Sequence, residues 1–281
     1  MRDFTAEREL LERKASALED TLVNFPVPIF GVKANRLPAM VGTGFLLRIR
    51  EVTFFVTASH VLDAGSESGL WVTDGTSFHQ LAMQMYRTRL DVARGLDFDL
   101  AFNELPPALR EALSRHAPVE VETCDPNHVP HRQIIYSFIG FPASLNKPKL
   151  NSSRFDATML PYRVVCLKPE VFAQLGLNSS VQLAMEFDPP NTKYPDGITR
   201  TPPTPKGISG CAVWALGSVA EIDRGMAVPR VVGVGIAHCR NPERLEATRI
   251  AGVLETIRAI RPELSAHIPS SRFLGVGVTI H

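Results

Sequence analysis

The sequences GTGFLL (residues 42–47) and FFVTASH (residues 54–60) predict two neighbouring β-strands, the second of which ends in small residues and a histidine. Runs rich in Val, Ile, Phe and Thr favour strands, and Gly, Pro, Asp and Asn mark the turns between them. The same texture continues from Phe25 to about Ile139, and it predicts strands at residues 41–49, 52–57, 69–73 and 78–85. The first half of the chain is therefore expected to form antiparallel sheet.

The second half continues the β pattern, and a helix is predicted at each end of the chain. Strands are expected at residues 133–139, 160–167, 180–187, 211–216 and 230–237. Helical periodicity predicts an amphipathic helix over residues 4–22, another at about 247–260 and a shorter one at Pro106–Arg115. Many short strands with turn signals are typical of a barrel or sandwich, so the expected fold class is mainly β.

The composition describes a chain with enough apolar material for a sizeable core and no global charge. Its 281 residues are 44% hydrophobic, and 30 Lys and Arg against 29 Asp and Glu leave a formal charge of +1. Such a balance argues against nucleic acid or an acidic membrane as a partner. No apolar run is long enough to span a bilayer, and charges interrupt the N-terminus, which predicts no secretory signal. We expect a cytoplasmic protein.

The cysteines predict neither a metal site nor a disulfide framework. They are far apart and include no C-x-x-C pair, at Cys124, Cys166, Cys211 and Cys239. We expect free, mostly buried thiols, and nothing in the sequence requires a metal or another cofactor.

Three short segments carry residue types that chemistry uses. They are the turn that ends in His60, the sequence LDFDLAF (residues 96–102) and the sequence KGISGCAV (residues 206–213). Each has an ordinary structural explanation on its own, as a core histidine, a turn aspartate and a Gly-Ser turn. The glycines around Ser209 would let two backbone N–H groups point at one spot, as oxyanion stabilisation requires. Cys211 departs from the G-x-S-x-G pattern, which disfavours an α/β-hydrolase.

In the order His60, Asp99, Ser209, these segments resemble the chymotrypsin-like (trypsin-like) serine peptidases. The family's histidine motif T-A-x-H is matched by TASH (57–60). Its aspartate, followed by Leu or Ile and then Ala, is matched by DLA (99–101), and its serine motif G-x-S-G is matched by GISG (207–210). The second motif selects Asp99 over Asp97. Two softer matches are GFP (140–142) and VVGVGI (231–236).

The resemblance covers roughly residues 38–240 and implies two packed six-stranded antiparallel β-barrels with the active site between them. The implied organisation is an N-terminal helix (1–24), a first barrel with His60 and Asp99 (25–118), a second barrel with Ser209 (119–245) and a C-terminal helix and tail (246–281). Serine endopeptidase activity on a protein or peptide would follow, without a cofactor. The terminal helices are candidate contacts for a regulatory protein.

The resemblance also implies the role of each site residue. Ser209 would be the nucleophile, His60 the general base, and Asp99 the residue that orients the imidazole. The N–H groups of Gly207 and Ser209 would form the oxyanion hole. Two alternatives stay open, namely a catalytically silent peptide-binding or scaffold module of the same fold, and an esterase that uses the same triad.

Departures from the family bear on activation and specificity. Ile208 replaces the aspartate that captures a newly cut N-terminus, and the insertion 143–159 and the Pro-rich loop 189–206 have no counterpart. Pro203 stands where trypsin-type enzymes carry a carboxylate, so cleavage after Arg or Lys is disfavoured unless Asp188 or Asp196 folds back. We expect cleavage after apolar or acidic residues, with a pocket formed by Thr204, Lys206, Gly233, Gly235 and His238.

Overall fold

Most of the strands that the apolar runs predict are present, and the structure adds several others. The computed structural model describes residues 4–32, 38–64, 69–88, 98–147, 157–188 and 202–272. The strands in these ranges are β1 (Pro26–Val32), β2 (Pro38–Ile49), β3 (Val52–Ala58), β4 (Leu70–Thr73), β5 (Phe78–Gln80), β6 (Tyr86–Arg87), β7 (Leu100–Glu104), β8 (Val119–Glu120), β9 (Ile134–Gly140), β10 (Leu160–Cys166), β11 (Gln182–Glu186), β12 (Ala212–Ser218), β13 (Arg230–Arg240) and β14 (Glu243–Arg249).

The helices are short, apart from the two near the chain ends. They are α1 (Phe4–Asp20), α2 (Ser59–Asp63), α3 (Pro107–Ala112), α4 (Pro169–Gln174), α5 (Val219–Asp223) and α6 (Ile250–Ile260). Short 3₁₀ turns lie at Val121–Thr123 and Pro262–His267. None of the helices in the described ranges is both long enough and apolar enough to cross a membrane.

The second half of the chain closes into a six-stranded antiparallel barrel, in the order β10-β11-β14-β13-β12-β9. Successive side chains of β12 point to opposite faces, so this strand contributes to two hydrophobic cores. Val213 and Ala215 face the barrel interior, whereas Ala212, Trp214 and Leu216 face the first sheet. The prediction of a mainly β fold with an antiparallel barrel is therefore confirmed.

The first half forms an eight-stranded sheet in the order β5-β4-β1-β2-β3-β7-β6, with β8 paired to β2. This sheet does not close within the described residues, because β5 and β6 stand at its edges. Both of its faces are nevertheless buried. Phe45 and Phe54 pack in the core shared with the barrel, while Leu46 and Phe55 pack in a separate core on the other face. This double burial explains the nearly continuous apolar runs in β2 and β3.

The N-terminal helix docks on the barrel, and the C-terminal helix packs against both the barrel and the first sheet. Arg163 of β10 donates to Glu12 and Glu19 of α1, and Glu19 also accepts from the Ser137 hydroxyl at 2.7 Å. The predicted apolar face of α6 is confirmed, since Val253, Leu254 and Ile257 are fully buried.

Several element boundaries differ from the predicted ones, and two of them are described here. The C-terminal helix begins at Ile250 rather than 247, because Ala247 and Thr248 still pair with β11 and β13. The strand predicted at 78–85 ends at Gln80. The four cysteines are free, and three of them are buried, as expected.

Candidate active site

His60 and Asp99 meet because their strands are antiparallel neighbours. His60 lies in α2 directly after β3, and Asp99 directly precedes β7, with Ala58 paired to Leu100. His60 Nδ1 lies 2.6 Å from Asp99 Oδ2, and the His60 backbone N–H donates to Oδ1 at 2.9 Å. The carboxylate therefore favours the neutral tautomer with the proton on Nδ1, in which Nε2 is the basic nitrogen.

Asp99 is held in an uncommon backbone conformation. Its φ is +39°, in the left-handed region that aspartate tolerates better than most residues. The next residue is fixed on both sides, since Leu100 N–H donates to Thr88 Oγ1 at 2.8 Å and Thr88 N–H donates to Leu100 O at 2.9 Å. Helix α6 packs close behind, because a Cβ on Gly252 would lie 2.8 Å from the Phe98 ring. The C-terminal helix thus packs against the residue that precedes Asp99.

Arg87 stabilises the turn that carries His60. Its Nε donates to Ser59 Oγ at 2.9 Å, and its Nη2 donates to Ser59 O and to Asp63 Oδ1. The Ser59 N–H in turn donates to Asp99 O at 2.9 Å. The start of α2 is therefore hydrogen-bonded both to β6 and to Asp99, which fixes the backbone that carries His60.

Ser209 lies in a turn that contacts the first sheet. Its carbonyl accepts from Thr43 N–H at 2.8 Å. The following residue, Gly210, has φ +90°, and a Cβ on it would lie 2.0 Å from Thr43 O and 2.9 Å from Ala58 N. Glycine is needed here for this approach as well as for the positive φ. Since Ala58 precedes His60 by two residues, the segments that carry the histidine and the serine are in contact.

Two backbone N–H groups in this turn are available for an acceptor. The Lys206 carbonyl accepts from the loop after β9, and the Ile208 carbonyl accepts from Cys211 N–H at 3.0 Å. In a trans peptide the N–H points opposite to the carbonyl, so the N–H groups of Gly207 and Ser209 point away from these partners. Neither donates a hydrogen bond within the described residues. This pair matches the donor requirement of an oxyanion hole.

The serine hydroxyl is the nucleophile candidate in this turn. Ser209 Oγ makes one long contact of 3.4 Å, to Ile236 O on β13. The neighbouring Cys211 thiol is fully buried, and burial raises its pKa to about 12. Because the thiolate is the reactive form of cysteine, Cys211 is inert at neutral pH. The arrangement thus supplies an alcohol, an oriented imidazole and paired N–H donors.

The two glycines predicted to line a pocket face the barrel interior. A Cβ on Gly233 would lie 2.7 Å from Thr248 O and 3.1 Å from Leu183, and a Cβ on Gly235 would lie 3.1 Å from the Phe138 ring. Their missing side chains let neighbouring strands pack closely.

The other predicted pocket residues do not all converge. Thr204 and Lys206 are exposed. His238 is half-buried, with Nε2 3.2 Å from Glu243 Oε1 and its ring 5.5 Å from the Phe187 ring. A carboxylate therefore accompanies the histidine that is predicted to line the pocket.

Several predicted features lie outside the described residues. These are Asp97, Asp196, most of the Pro-rich loop and residues 148–156 of the insertion. The two described ends of the insertion are joined, because Asn146 Nδ2 donates to Thr158 O at 2.8 Å and Thr158 N–H donates back to Asn146 Oδ1.

Thr43 is a site residue that sequence reasoning missed. Its Oγ1 donates to Gly207 O at 2.9 Å and accepts from Phe141 N–H at 3.1 Å, and its side chain is fully buried. Together with the bond to Ser209 O, these contacts hold both ends of the Gly207–Ser209 segment. The signal available in the sequence was a threonine between two glycines, in the strand before the one that leads to His60.

Among the described residues, no group of three or more His, Cys, Asp or Glu side chains could hold a metal ion.

In comparisons with known proteins, no family model matches the chain. No curated protein sequence matches it either.

Proposed function

We propose that this chain is a serine endopeptidase that acts through Ser209, His60 and Asp99 and an acyl-enzyme intermediate. The observation that carries the proposal is the His60–Asp99 pair next to a serine turn with two outward N–H groups. A chymotrypsin-like fold fits this arrangement, with the open first sheet as the counterpart of the first barrel.

The proposed reaction uses each of these groups in turn. Ser209 Oγ attacks the peptide carbonyl carbon while His60 Nε2 accepts the hydroxyl proton. The resulting oxyanion is stabilised by the N–H groups of Gly207 and Ser209, and the imidazolium by Asp99. His60 then gives the proton to the leaving amine, which departs and leaves an ester on Ser209. Water attacks this ester with His60 as base, which releases the acid and restores the serine.

A strand edge that no described strand pairs with favours a peptide over a small ester as substrate. On one side β13 pairs with β14 as far as Arg240, but on the other side its pairing with β12 ends at Val234. Gly235 exchanges backbone hydrogen bonds with Gly210 and Cys211 of the serine turn. Beyond these bonds, no described strand pairs with this edge. An extended peptide can add to such an edge as a further strand. The Ile236 carbonyl, beside Ser209 Oγ, lies where that strand would begin.

Incubation with casein and a peptide library tests the peptidase proposal. We expect cleavage after apolar or acidic residues, because Pro203 stands where trypsin-type enzymes carry a carboxylate. Ser209→Ala should abolish cleavage, and Ser180→Ala, which changes an exposed turn serine, should not. Hydrolysis of p-nitrophenyl acetate without peptide cleavage would favour the esterase. The absence of both reactions would favour a silent module. A cleavage profile dominated by Arg or Lys would contradict the predicted specificity.

Replacing Thr43 by valine tests whether its hydroxyl positions the oxyanion donors. We expect Thr43→Val to lower kcat by about a hundredfold with little change in KM, since small displacements of catalytic groups have effects of this size. The variant also leaves Phe141 N–H without its acceptor, at a cost of about 1–3 kcal/mol in the free energy of unfolding. Thr43→Ser keeps the hydroxyl and should retain most of kcat. Equal losses in both variants would assign the effect to altered packing at this buried position rather than to the hydroxyl.

A further inference from the structure

A cavity of about 550 Å³ lies on the outside of the barrel, between β10, β11 and the short helix α4. Its volume is within the range of small-molecule sites. Its walls are mostly apolar, with Leu167, Phe172, Leu177 and Ala184 among the lining side chains. None of the residues that line it belongs to the candidate active site.

The charged side chains among the described lining residues of this cavity are of one sign. Arg132 and Arg249 both line it, and none of the described lining residues is Asp or Glu. Arg132 is at the rim, where it donates to Glu186 outside the cavity at 2.8 Å and to Cys166 O at 3.1 Å. The inner cation is Arg249, which is 7% exposed.

Arg249 is fixed in place by backbone carbonyls. Its Nε donates to Ser179 O at 2.7 Å and its Nη1 to His128 O at 2.8 Å. Burial, and then the charge of Arg272, lower its pKa to about 10, while Tyr136 and Asp125 act in the opposite direction. The guanidinium is therefore charged at neutral pH. A planar donor group held in this way suits a carboxylate.

We propose that this cavity binds a small apolar monocarboxylate, with the carboxylate towards Arg249 and Arg132 and the hydrocarbon part against Phe172, Leu177 and the other apolar walls. A single negative charge on an apolar body complements a mostly apolar cavity with two guanidinium groups. The inference does not depend on the proposed peptidase activity.

Calorimetric titration of the full chain with four probes tests both parts of the proposal. We expect decanoate to bind at one saturable site, and decanol to bind about tenfold more weakly because it lacks the charge-assisted hydrogen bond. Acetate, without an apolar body, and decyltrimethylammonium, with the wrong charge, should show no saturable binding. Equal affinity for decanoate and decanol, or saturable binding of the cation, would overturn the proposal.

Two tryptophan variants locate the binding. Ala173 is an exposed residue of α4 that lines the cavity, and Ala220 is an exposed residue of α5 that does not. Ala173→Trp should fill the cavity and weaken decanoate binding by at least about tenfold, the effect of about 1.4 kcal/mol. Ala220→Trp should bind like the wild type. Decanoate binding that is unchanged by Ala173→Trp would place the ligand elsewhere and refute the site.

Discussion

Asp99→Asn is expected to lower kcat by about 10⁴ while the chain stays folded. An amide has the shape of the carboxylate, so the oxygen of the new side chain can still accept the His60 backbone N–H bond that Asp99 accepts at 2.9 Å. Its NH₂ group would instead donate to the ring nitrogen that now carries the proton. The imidazole would then hold its proton on Nε2, where it cannot accept one from Ser209. The measurement is kcat on the best library peptide, with thermal unfolding to verify folding.

Asp97→Asn is the matched control for this prediction. It removes a carboxylate of the same segment two residues away, and it should leave kcat within about twofold of the wild type, as for most changes outside the interacting groups. Equal losses in the two variants would show that the aspartate has been assigned to the wrong position. A loss in Asp97→Asn alone would transfer the role to that residue.

Most of the strand positions could be predicted because they depend on local composition. The runs at 41–49, 52–57 and 160–167 are dense in β-branched and aromatic residues, and the observed strands begin and end within three residues of them. The free cysteines and the apolar face of α6 follow from equally local patterns. The motifs also located His60, Asp99 and Ser209, two of which the structure joins by direct hydrogen bonds.

The rest depends on contacts between distant parts of the chain. The bonds of Thr43 to Gly207 and Ser209 join segments that are far apart in the sequence, and no local pattern encodes them. The same holds for Gly252, whose lack of a side chain admits Phe98. Ala247 and Thr248 have helical neighbours in sequence but complete the barrel ladder, so tertiary pairing decides where α6 begins.

The pocket is the part of the site that the sequence predicts least well. Gly233 and Gly235 are predicted as pocket residues by resemblance, yet both face the barrel core. His238 is predicted as a pocket residue too, and Glu243 accompanies it from the neighbouring strand. Specificity depends on loop conformation and on cross-strand neighbours, which a single sequence does not reveal.

The most direct test of the account is mass spectrometry of the chain after reaction with a fluorophosphonate. Attack by an activated serine on phosphorus displaces fluoride and leaves a stable phosphonyl ester, which tryptic mapping can assign to one residue. We predict one adduct, on Ser209, complete loss of the adduct in Ser209→Ala at nearly unchanged thermal stability, and normal labelling of Ser180→Ala. An unlabelled wild-type chain, or an adduct on any other residue that persists in Ser209→Ala, would contradict it.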